Sequence, residues 1–455
     1  MSMLALPRWH CAERLGTCFF VRSWMMGQIG AERCLHTPQA DAAEGSPGPL
    51  AGIKVLDLGQ VVAGNFAGAL LAYYGADVVK VEPPGKGDAL RSLRLTDASG
   101  TSLWWRSYGR NRRCITVDLH SAAGQGVVRR LAGRSDVLVE NFRPGVMEGW
   151  GLGPKDLPPH LIYTRISGYG QTGPRAREPG YASVCEAYGG LRAINGFPDG
   201  PPIRPNISLG DSLAGLHAAF GAVMALLHRD RARGPGGACA GPGTPSGSGQ
   251  VVDVAISESI FNMMEGAVPE WFTHRAIRPP SGTTLTNVVP SGAWQAQDGK
   301  YVIIGGNGNS VYNRLVAAMG REDLGLTNPR FATDAVRNEN EEELNAVIAT
   351  WVAGRSSEEV MSVLKAARVP AGPILNMADI AGEAQYQARG MFQPALPPGG
   401  GEEVVLPAMS PVLGGTPGRT RWAGPGLGQH TEEVLREELG MTQEEVADLR
   451  QSGAI

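Results

Sequence analysis

The stretch "GIKVLDLGQVVAGNFAGALLAYYGADVVKVE", residues 52–82, indicates the fold of this chain. It begins with a short run rich in Val, Ile and Leu, continues with small apolar residues at helical spacing, and ends with a second apolar run. A strand, a helix and a strand in this order favour a parallel, doubly wound sheet with right-handed crossovers. We therefore expect an α/β, Rossmann-like fold.

Further segments extend this pattern. The helix "GQGVVRRLAGR" precedes the strand "DVLVENF", and the apolar runs suit strands that are covered on both faces. The other predicted strands are "CITVDL", "LIYTRISGYG" and "QVVDVAI". The glycines that follow the first strand, Gly59, Gly64 and Gly68, lack the G-x-G-x-x-G spacing of dinucleotide sites, and the chain has no P-loop motif. A nicotinamide dehydrogenase and a P-loop nucleotidase are both disfavoured.

Composition excludes other classes of function. The chain has 455 residues, enough for two or three domains, and a formal net charge of -3 with interspersed signs. It has no basic face for nucleic acid, so we expect no nucleic-acid partner. Its six cysteines form no Cys-x-x-Cys pair and no zinc spacing, which predicts a reducing compartment and no metal.

The first 47 residues differ from the rest. They carry arginines and few acids around the apolar patch "CFFVRSWMM", which is typical of an organellar transit peptide rather than a secretory signal. We expect a mitochondrial protein, or a cytoplasmic one if the segment is only a disordered extension. Residues 233–249, "RGPGGACAGPGTPSGSG", have the composition of a disordered insertion.

One carboxylate lies at the start of an apolar helix in "RPNISLGDSLAGLHAAFG", residues 204–221. An aspartate at this position is most often a helix cap, so Asp211 has this simple interpretation before any catalytic one. The run to His228 is too short to cross a membrane and predicts a buried core helix. The apolar residues at helical spacing are Leu213, Leu216, Phe220, Val223 and Leu227.

A second mixed region follows. The segment "SESIFNMMEGAVPEWF" predicts one helix, "YVIIGG" a strand, and "EEELNAVIATWVAG" and "SSEEVMSVLKAA" two helices. In the C-terminal tail, Thr442 and Glu445 have the spacing of a capping box. We expect a smaller central domain enclosed by two parts of a larger one.

Several motifs together resemble the family III CoA-transferases (CaiB/BaiF type), which include formyl-CoA transferase and succinate–hydroxymethylglutarate (glutarate) CoA-transferase. The similarity runs from about Leu50 to the end of the chain, and the motifs occur in the family's order. They are "LDLGQVVAGNFAGALLAYYGADVVKVEPPGKGD", "NRRCITVDL", "DVLVENFRPGVMEGWGLG", "ISGYGQTGP", "LGDSLAGLHAAFGAVMALLHR", "RVPAGPILNMADI" and "LGQHTEEVL".

The resemblance implies an interlocked, ring-like homodimer. Each chain would have a large Rossmann-like domain made from N- and C-terminal parts and a smaller central α/β domain. The implied boundaries are 48–255 for the first part of the large CoA-binding domain, 256–284 for a linker, 285–390 for the small domain, and 391–455 for a linker and the C-terminal part of the large domain.

The resemblance also changes the interpretation of Asp211, because "LGDS" matches the position of the family's catalytic carboxylate. Position at a helix start would favour the ionised, nucleophilic form. Asp211 would form a mixed anhydride and then an aspartyl-CoA thioester, with no ATP, metal or tightly bound cofactor. The glycine-bearing loop of the family would match "TNVVPSGAW" around Ser291 and Gly292.

Residues that match the family's CoA site are carried over one by one. Val62 and Ala63 match the turn after the first strand, which lines the pantetheine and nucleotide site in the family. Tyr181 matches an aromatic residue beside the thioester. The segment at the adenosine end is Val117, Asp118, Leu119 and His120, and the neighbouring loop contains Asn141, Phe142 and Arg143. Without the resemblance, Asn141 would be a turn residue and Phe142 a core aromatic.

Two basic positions have competing interpretations. Arg112 and Arg113 could meet a CoA phosphate, or they could form a solvated basic pair. Arg204 could hold the distal carboxylate of a substrate, or it could be a turn arginine beside Pro205.

The sequence departs from formyl-CoA transferase at several positions. Val62 replaces a glutamine, which argues against formyl and oxalate as substrates, and Pro83 and His120 replace an arginine and a lysine. Ala182 stands where many members have an acid after the tyrosine. The racemases of the family have a histidine at the position of Tyr181 and an acid after it, and both are missing.

We therefore expect a CoA-transferase that moves CoA from an acyl-CoA, such as succinyl-CoA, to a carboxylate such as glutarate or hydroxymethylglutarate. One alternative is an isomerase of the α-methylacyl-CoA racemase type, although a tyrosine is a poor base for it. The other is a catalytically silent CoA-binding protein.

Overall fold

The computed structural model describes residues 47–233 and 247–455. The segment that resembles a transit peptide, 1–47, and the glycine-rich insertion, 233–249, lie almost entirely outside the described residues.

The centre of the fold is a six-stranded parallel sheet. Its strands are β1 (Lys54–Asp57), β2 (Asp77–Glu82), β3 (Arg112–Thr116), β4 (Val137–Glu140), β5 (Ile162–Ser167) and β6 (Val251–Ala255). Their order is β3-β2-β1-β4-β5-β6, and every neighbouring pair is parallel. This confirms the doubly wound sheet expected from the sequence. The order reverses between β1 and β4, where ligands of such sheets bind.

Helices cover both faces of this sheet. Those in the first half of the chain are α1 (Ala63–Tyr73), α2 (Leu103–Tyr108), α3 (Ala122–Ala132), α4 (Val146–Gly149), α5 (Ala182–Tyr188), α6 (Leu191–Ile194) and α7 (Leu209–Arg233). Because side chains alternate along a strand, Val55 and Val78 pack in the core under α1 and α7. Their neighbours Leu56 and Val79 pack in the core on the opposite face.

The long helix α7 buries a different face from the one expected. Leu216, Phe220 and Leu227 are 46%, 59% and 51% exposed, whereas the small residues of the helix are buried. Small residues let α7 approach α1 closely, since a Cβ added at Gly215 would lie 2.6 Å from the Ala63 carbonyl oxygen. The buried stripe consists of Ala214, Ala218, Ala219, Ala222 and Ala225.

The expectation that this helix is too short to span a membrane is also wrong. It has 25 residues and, by length and composition alone, could cross one. Half of its apolar window is buried inside the structure, and a core helix passes the same test. The expected segment stops at His228, whereas α7 continues through a last charged turn to Arg233.

A break divides the next expected helix in two. The structure has α8 (Ile256–Phe261) and α9 (Ala267–His274) in place of one helix over 257–272. Between them Glu265 has a φ of 51°, in the left-handed region, which ends regular α-helical geometry. Apolar periodicity continued across this break and did not reveal it.

A second core forms around a three-stranded antiparallel sheet. The strands are β7 (Ser291–Gln295), β8 (Tyr301–Gly305) and β9 (Ala371–Pro373), and the helices are α10 (Asn309–Ala318), α11 (Asp334–Glu339), α12 (Glu341–Ala353) and α13 (Ser357–Ala366). Val302, Ile348 and Leu364 are fully buried in this core. The predicted strand at 301–306 and the two predicted helices are present.

The C-terminal segment returns to the large sheet. It contains α14 (Met377–Gly382), α15 (Ala384–Ala388), the hairpin strands β10 (Phe392–Ala395) and β11 (Val404–Pro407), α16 (Thr431–Leu439) and α17 (Gln443–Gln451). Val434 and Leu435 complete the core around Leu56. Thr442 and Glu445 form the predicted capping box at the start of α17.

Candidate active site

A cavity of about 300 Å³ opens where the strand order reverses. Its wall comes from the ends of β1, β4 and β5 and from the start of α7, because the carboxyl ends of parallel strands meet at one edge of the sheet. The expected residues that line it are Val62, Ala63, Asn141, Phe142, Arg143, Tyr181 and Asp211. The structure thus brings together seven of the eleven residues that the resemblance selected.

Two loops of this wall are joined by the side chain of Asn141. Its Oδ1 accepts the Gln60 N–H at 2.6 Å, and its Nδ2 donates to the Gln60 carbonyl oxygen at 2.8 Å. The amide therefore fixes the loop after β1 to the loop after β4. The side chain therefore shapes the wall of the cavity that it lines.

The remaining four expected residues line a second cavity of about 190 Å³. Val117, Asp118, Leu119 and His120 lie there, and Gln60 and Phe142 line both cavities. The two cavities are therefore neighbours along the edge of the sheet. A long, extended ligand can occupy both.

Trp150 is a lining residue of the second cavity that sequence reasoning missed. Its ring packs edge-on against Phe142 and His120, with ring centroids 5.2 and 5.4 Å apart. Aromatic rings with an exposed edge or face are good partners for a nucleotide base. Trp150 lies in "DVLVENFRPGVMEGWGLG", one of the motifs that resemble the family, and this position could have identified it as a site residue.

The two arginines considered for CoA phosphate are used inside the protein. Arg112 is fully buried, and its Nη1 donates to Asp57 at 2.5 Å and to Asn65 at 2.9 Å. Arg113 pairs with Asp77 and Glu438 at 2.7 and 2.9 Å. Both the phosphate interpretation and the solvated-pair interpretation are wrong for these residues.

Asp211 lies in the first turn of α7, two residues inside its start, and is partly buried. Within the described part of the chain its carboxylate makes no hydrogen bond, so it is not the helix cap that the sequence suggested. Burial raises its pKa to about 6, the negative charge of Glu186 adds to this rise, and Arg204 opposes it.

This result corrects a further expectation, that the helix start would favour the ionised form of Asp211. Desolvation and the negative charge of Glu186 both raise the pKa of this carboxyl group and so favour its protonated form. A carboxylate with a pKa near 6 is still ionised at neutral pH and is more basic than an ordinary aspartate. It is therefore a better nucleophile.

Glu186 is a second group that the sequence analysis missed. It is fully buried on α5, next to the start of α7. The sequence lacks an acid at Ala182, and Glu186 follows it by four residues, one helical turn later on the same face. That spacing was the signal that could have identified it.

Three expected residues lie at or beyond the edge of the site. Tyr181 is 76% exposed on the rim of the first cavity. Ser291 and Gly292 pair with β8 in the antiparallel sheet and do not line the cavity around Asp211. Among the described residues, no cluster of three or more His, Cys, Asp or Glu could hold a metal ion.

Comparison with known proteins gives a consistent result. The model of CoA-transferase family III matches residues 50–431. The succinyl-CoA–D-citramalate CoA-transferase of Chloroflexus aurantiacus is 42% identical over 411 residues, which cover 89% of this chain and 97% of that protein. The succinyl-CoA:glutarate CoA-transferase of Mus musculus is 31% identical over 422 residues, 92% of each chain.

Solved structures agree with this assignment. The crystal structure of a CAIB/BAIF family protein from Brucella suis superposes with a TM-score of 0.73 at 28% identity, covering 86% of this chain and 100% of that one. The resemblance found from the motifs is confirmed. The chain belongs to CoA-transferase family III and is a CoA-transferase that uses CoA thioesters as substrates, with no tightly bound cofactor.

Proposed function

We propose that this enzyme transfers CoA from succinyl-CoA to a free dicarboxylate, with Asp211 as the nucleophile. The observation that carries the proposal is the placement of the Asp211 carboxylate, free of hydrogen bonds within the described residues, in the cavity at the strand-order reversal. The named relatives use succinyl-CoA with D-citramalate or glutarate. We expect an acceptor of this class, such as glutarate or hydroxymethylglutarate.

The reaction begins when an Asp211 oxygen attacks the thioester carbonyl of succinyl-CoA. The new C–O bond replaces the C–S bond, which gives a mixed anhydride and CoA thiolate. The thiolate then attacks the aspartyl carbonyl, expels succinate and leaves an aspartyl-CoA thioester. The acceptor carboxylate repeats these steps in reverse, so the energy of the thioester is conserved.

The two neighbouring cavities suit the two ends of CoA. The acyl group and the thioester would lie beside Asp211, with Val62, Ala63 and Tyr181 around them. Because α1 begins at Ala63, the N–H groups of its first turn lack partners within the helix and could stabilise an oxyanion. The adenosine would occupy the second cavity, beside His120 and Trp150.

Arg204 supports a dicarboxylate substrate. Its side chain is 42% exposed, its Nε lies 3.5 Å from Glu186, and its charge lowers the pKa of Asp211. The guanidinium therefore lies near Asp211, and among the described residues its two terminal nitrogens make no hydrogen bond or ion pair. An arginine fork suits a carboxylate, and here it would bind the distal one of the substrate.

We also propose that the enzyme is a homodimer, in which a second copy covers the outer face of α7. Leu216, Phe220, Met224 and Leu227 recur at helical spacing on this face, and each is 46% to 59% exposed. Such a continuous apolar stripe on a helix is typical of an interface. We propose in addition that the chain is divided into a large and a small domain, and that residues 1–47 are a mitochondrial leader. Residues 1–47 fused in front of a fluorescent protein would direct it to mitochondria.

The decisive experiment is the intact mass of the protein after mixing with succinyl-CoA. We expect an adduct of the mass of CoA less water, which glutarate discharges, and no adduct with Asp211→Asn. The matched control is Asp199→Asn, the same change at an exposed loop position. If the wild-type protein forms no adduct with succinyl-CoA, the proposed nucleophile is wrong. Exchange of the α-proton of a branched acyl-CoA in heavy water would then favour an isomerase.

A further inference from the structure

A buried carboxylate lies directly behind the proposed nucleophile. Glu186 Oε1 accepts the backbone N–H of Gly210 at 3.2 Å, and Gly210 precedes Asp211 in the chain. Glu186 Oε2 lies 3.3 Å from Arg192 Nη2 and 3.5 Å from Arg204 Nε. The glutamate is fully buried, and a buried charge is tolerated when it is paired and hydrogen-bonded in this way.

The position of Glu186 leaves Asp211 without a structural task. The first N–H groups of a helix need acceptors, and an aspartate in the first turn commonly supplies one. Here the acceptor for Gly210 comes from α5 instead. The carboxylate of Asp211 therefore remains free of the helix start and available to a substrate.

No other element packed around Asp211 places a buried carboxylate behind it as α5 does. The helix α1, the strand β5 and the helix α8 contribute Ala63, Ile166, Ser167 and Ile256 to the cavity, and none of these titrates. On β6, Asp253 accepts the N–H of Gln171, and on α7 itself the nearest titratable group is His217, more than one turn away. The titratable groups that face Asp211 are Glu186 and Cys185 on α5, Arg204 before α7, and Glu178, Tyr181 and Arg143 on the cavity wall.

We propose that Glu186 is a positioning residue for Asp211: it anchors the start of α7 and places a second negative charge behind the nucleophile. This inference rests on the proposed role of Asp211. The second charge makes protonation of Asp211 easier and the ionised carboxylate more basic. Arg192 and Arg204 compensate the charge of Glu186, which allows it to stay in the protein interior.

The test separates the charge of Glu186 from its structural role. Glu186→Gln keeps the size of the side chain and an oxygen that can accept the Gly210 N–H, but it removes the charge. The measurement is the rate constant of adduct formation with succinyl-CoA in a single turnover, from pH 4.5 to pH 8.5.

The expected wild-type rate constant at pH 5 is about one-tenth of its value at pH 8, because a group with a pKa of about 6 is then about one-tenth ionised. In Glu186→Gln we expect the acid limb of the pH–rate profile, where the rate constant falls with falling pH, to move to lower pH. The rate constant at pH 5 then rises to about one-third or more of its value at pH 8. The rate constant at pH 8 falls, because the carboxylate is less basic. The control Glu258→Gln makes the same change at an exposed position on α8 and keeps the wild-type profile.

A second variant covers the case in which Glu186→Gln does not fold. Arg204→Gln removes the positive charge that opposes Glu186, so its acid limb moves to higher pH. If the wild-type protein forms the adduct but Glu186→Gln keeps its acid limb, or Arg204→Gln does so where Glu186→Gln does not fold, Glu186 has only a structural role and the inference is overturned. If the wild-type protein forms no adduct, the proposed function fails instead.

Discussion

The carboxylate of Asp88 accepts the backbone N–H of Val61 through both oxygens, at 3.0 and 3.2 Å. Val61 has a φ of 60°, which is unfavourable for a β-branched residue, and it lines the first cavity. Asp88 is itself buried and held by Lys80 and Asn65. A buried charged network therefore imposes a strained turn on the wall of the site, where such strain is often found.

This strain can be measured by replacing Val61 with glycine. A left-handed conformation costs an L-residue about 1–2 kcal/mol, and the entropy of glycine offsets about 0.5–1 kcal/mol of the relief. We expect the free energy of unfolding of Val61→Gly to stay within about 1 kcal/mol of wild type in urea titrations. Val62→Gly is the control. Val62 has a negative φ and its side chain is buried, so removing this side chain lowers the free energy of unfolding by about 2 kcal/mol. Equal losses in the two variants would contradict the strain argument.

The raised pKa of Asp211 predicts that this carboxylate reduces stability at neutral pH. A carboxyl group whose pKa is higher in the folded state than its ordinary 3.8 stabilises the fold below about pH 4, and this contribution is lost as pH rises to about 6. Asp211→Asn removes this pH-dependent loss of stability, because the amide does not ionise. Because the group is partly exposed, we expect a gain of about 1–2 kcal/mol at pH 8 and none at pH 4, by chemical unfolding at the two pH values. A gain that is independent of pH would exclude this explanation.

Replacing Arg204 with glutamine tests the recognition of a second carboxylate. Loss of a charged hydrogen bond costs about 1.5–3 kcal/mol, so we expect kcat/KM for glutarate to fall about 10- to 100-fold. The kcat/KM for a monocarboxylate of equal length should change less than about threefold. The assay is run at pH 8, where Asp211 is ionised in both proteins. A similar loss for both acceptors would show that Arg204 acts on the nucleophile alone.

The outer face of α7 predicts the oligomeric state. Phe220→Glu with Leu227→Glu places charges on the exposed apolar stripe. We expect the wild-type protein to sediment as a dimer and the double variant to dissociate at least 100-fold more readily, because buried charges without partners are unfavourable. Leu95→Glu, at a site that is 77% exposed and far from α7 in the chain, is the control. A monomeric wild-type protein would refute the proposed interface.

Trp150 predicts how the two ends of CoA are divided between the cavities. Stacking of a base on an aromatic ring is worth about 1–3 kcal/mol, so Trp150→Ala should weaken CoA binding about tenfold or more in calorimetry. Binding of pantetheine, which lacks the adenosine, should be unchanged. If both ligands lose affinity equally, the second cavity does not hold the adenosine end.

Much of the site could be predicted from the sequence because its loops follow directly from the strands. Once the apolar pattern predicts a parallel sheet, the carboxyl ends of its strands, β1 and β4 among them, must share one edge. The loops after these two strands meet across the order reversal, where Asn141 bonds to the backbone of Gln60. Short-range apolar patterns predict the strands and their shared edge, and the capping box of Thr442 is equally local. The individual site residues were selected only by the resemblance to the family.

Interactions between distant parts of the chain could not be predicted in this way. Arg112 looks solvated beside Arg113, yet it is buried against Asp57, which lies 55 residues away. Both faces of α7 are apolar, so periodicity could not show that the alanine face is buried and Phe220 is exposed. The face that a helix buries depends on the element it packs against. Because α7 packs closely against α1, its small residues form the buried face.

The sequence by itself determined most of the order of strands and helices and the family, and through the resemblance it selected Asp211 as the candidate carboxylate. Only the tertiary structure decided the state of that carboxylate, because desolvation and the field of Glu186 depend on burial and distance rather than on neighbours in the chain. The helix start alone predicts a lowered pKa for Asp211. Folding brings a buried carboxylate from α5 beside it and reverses the sign.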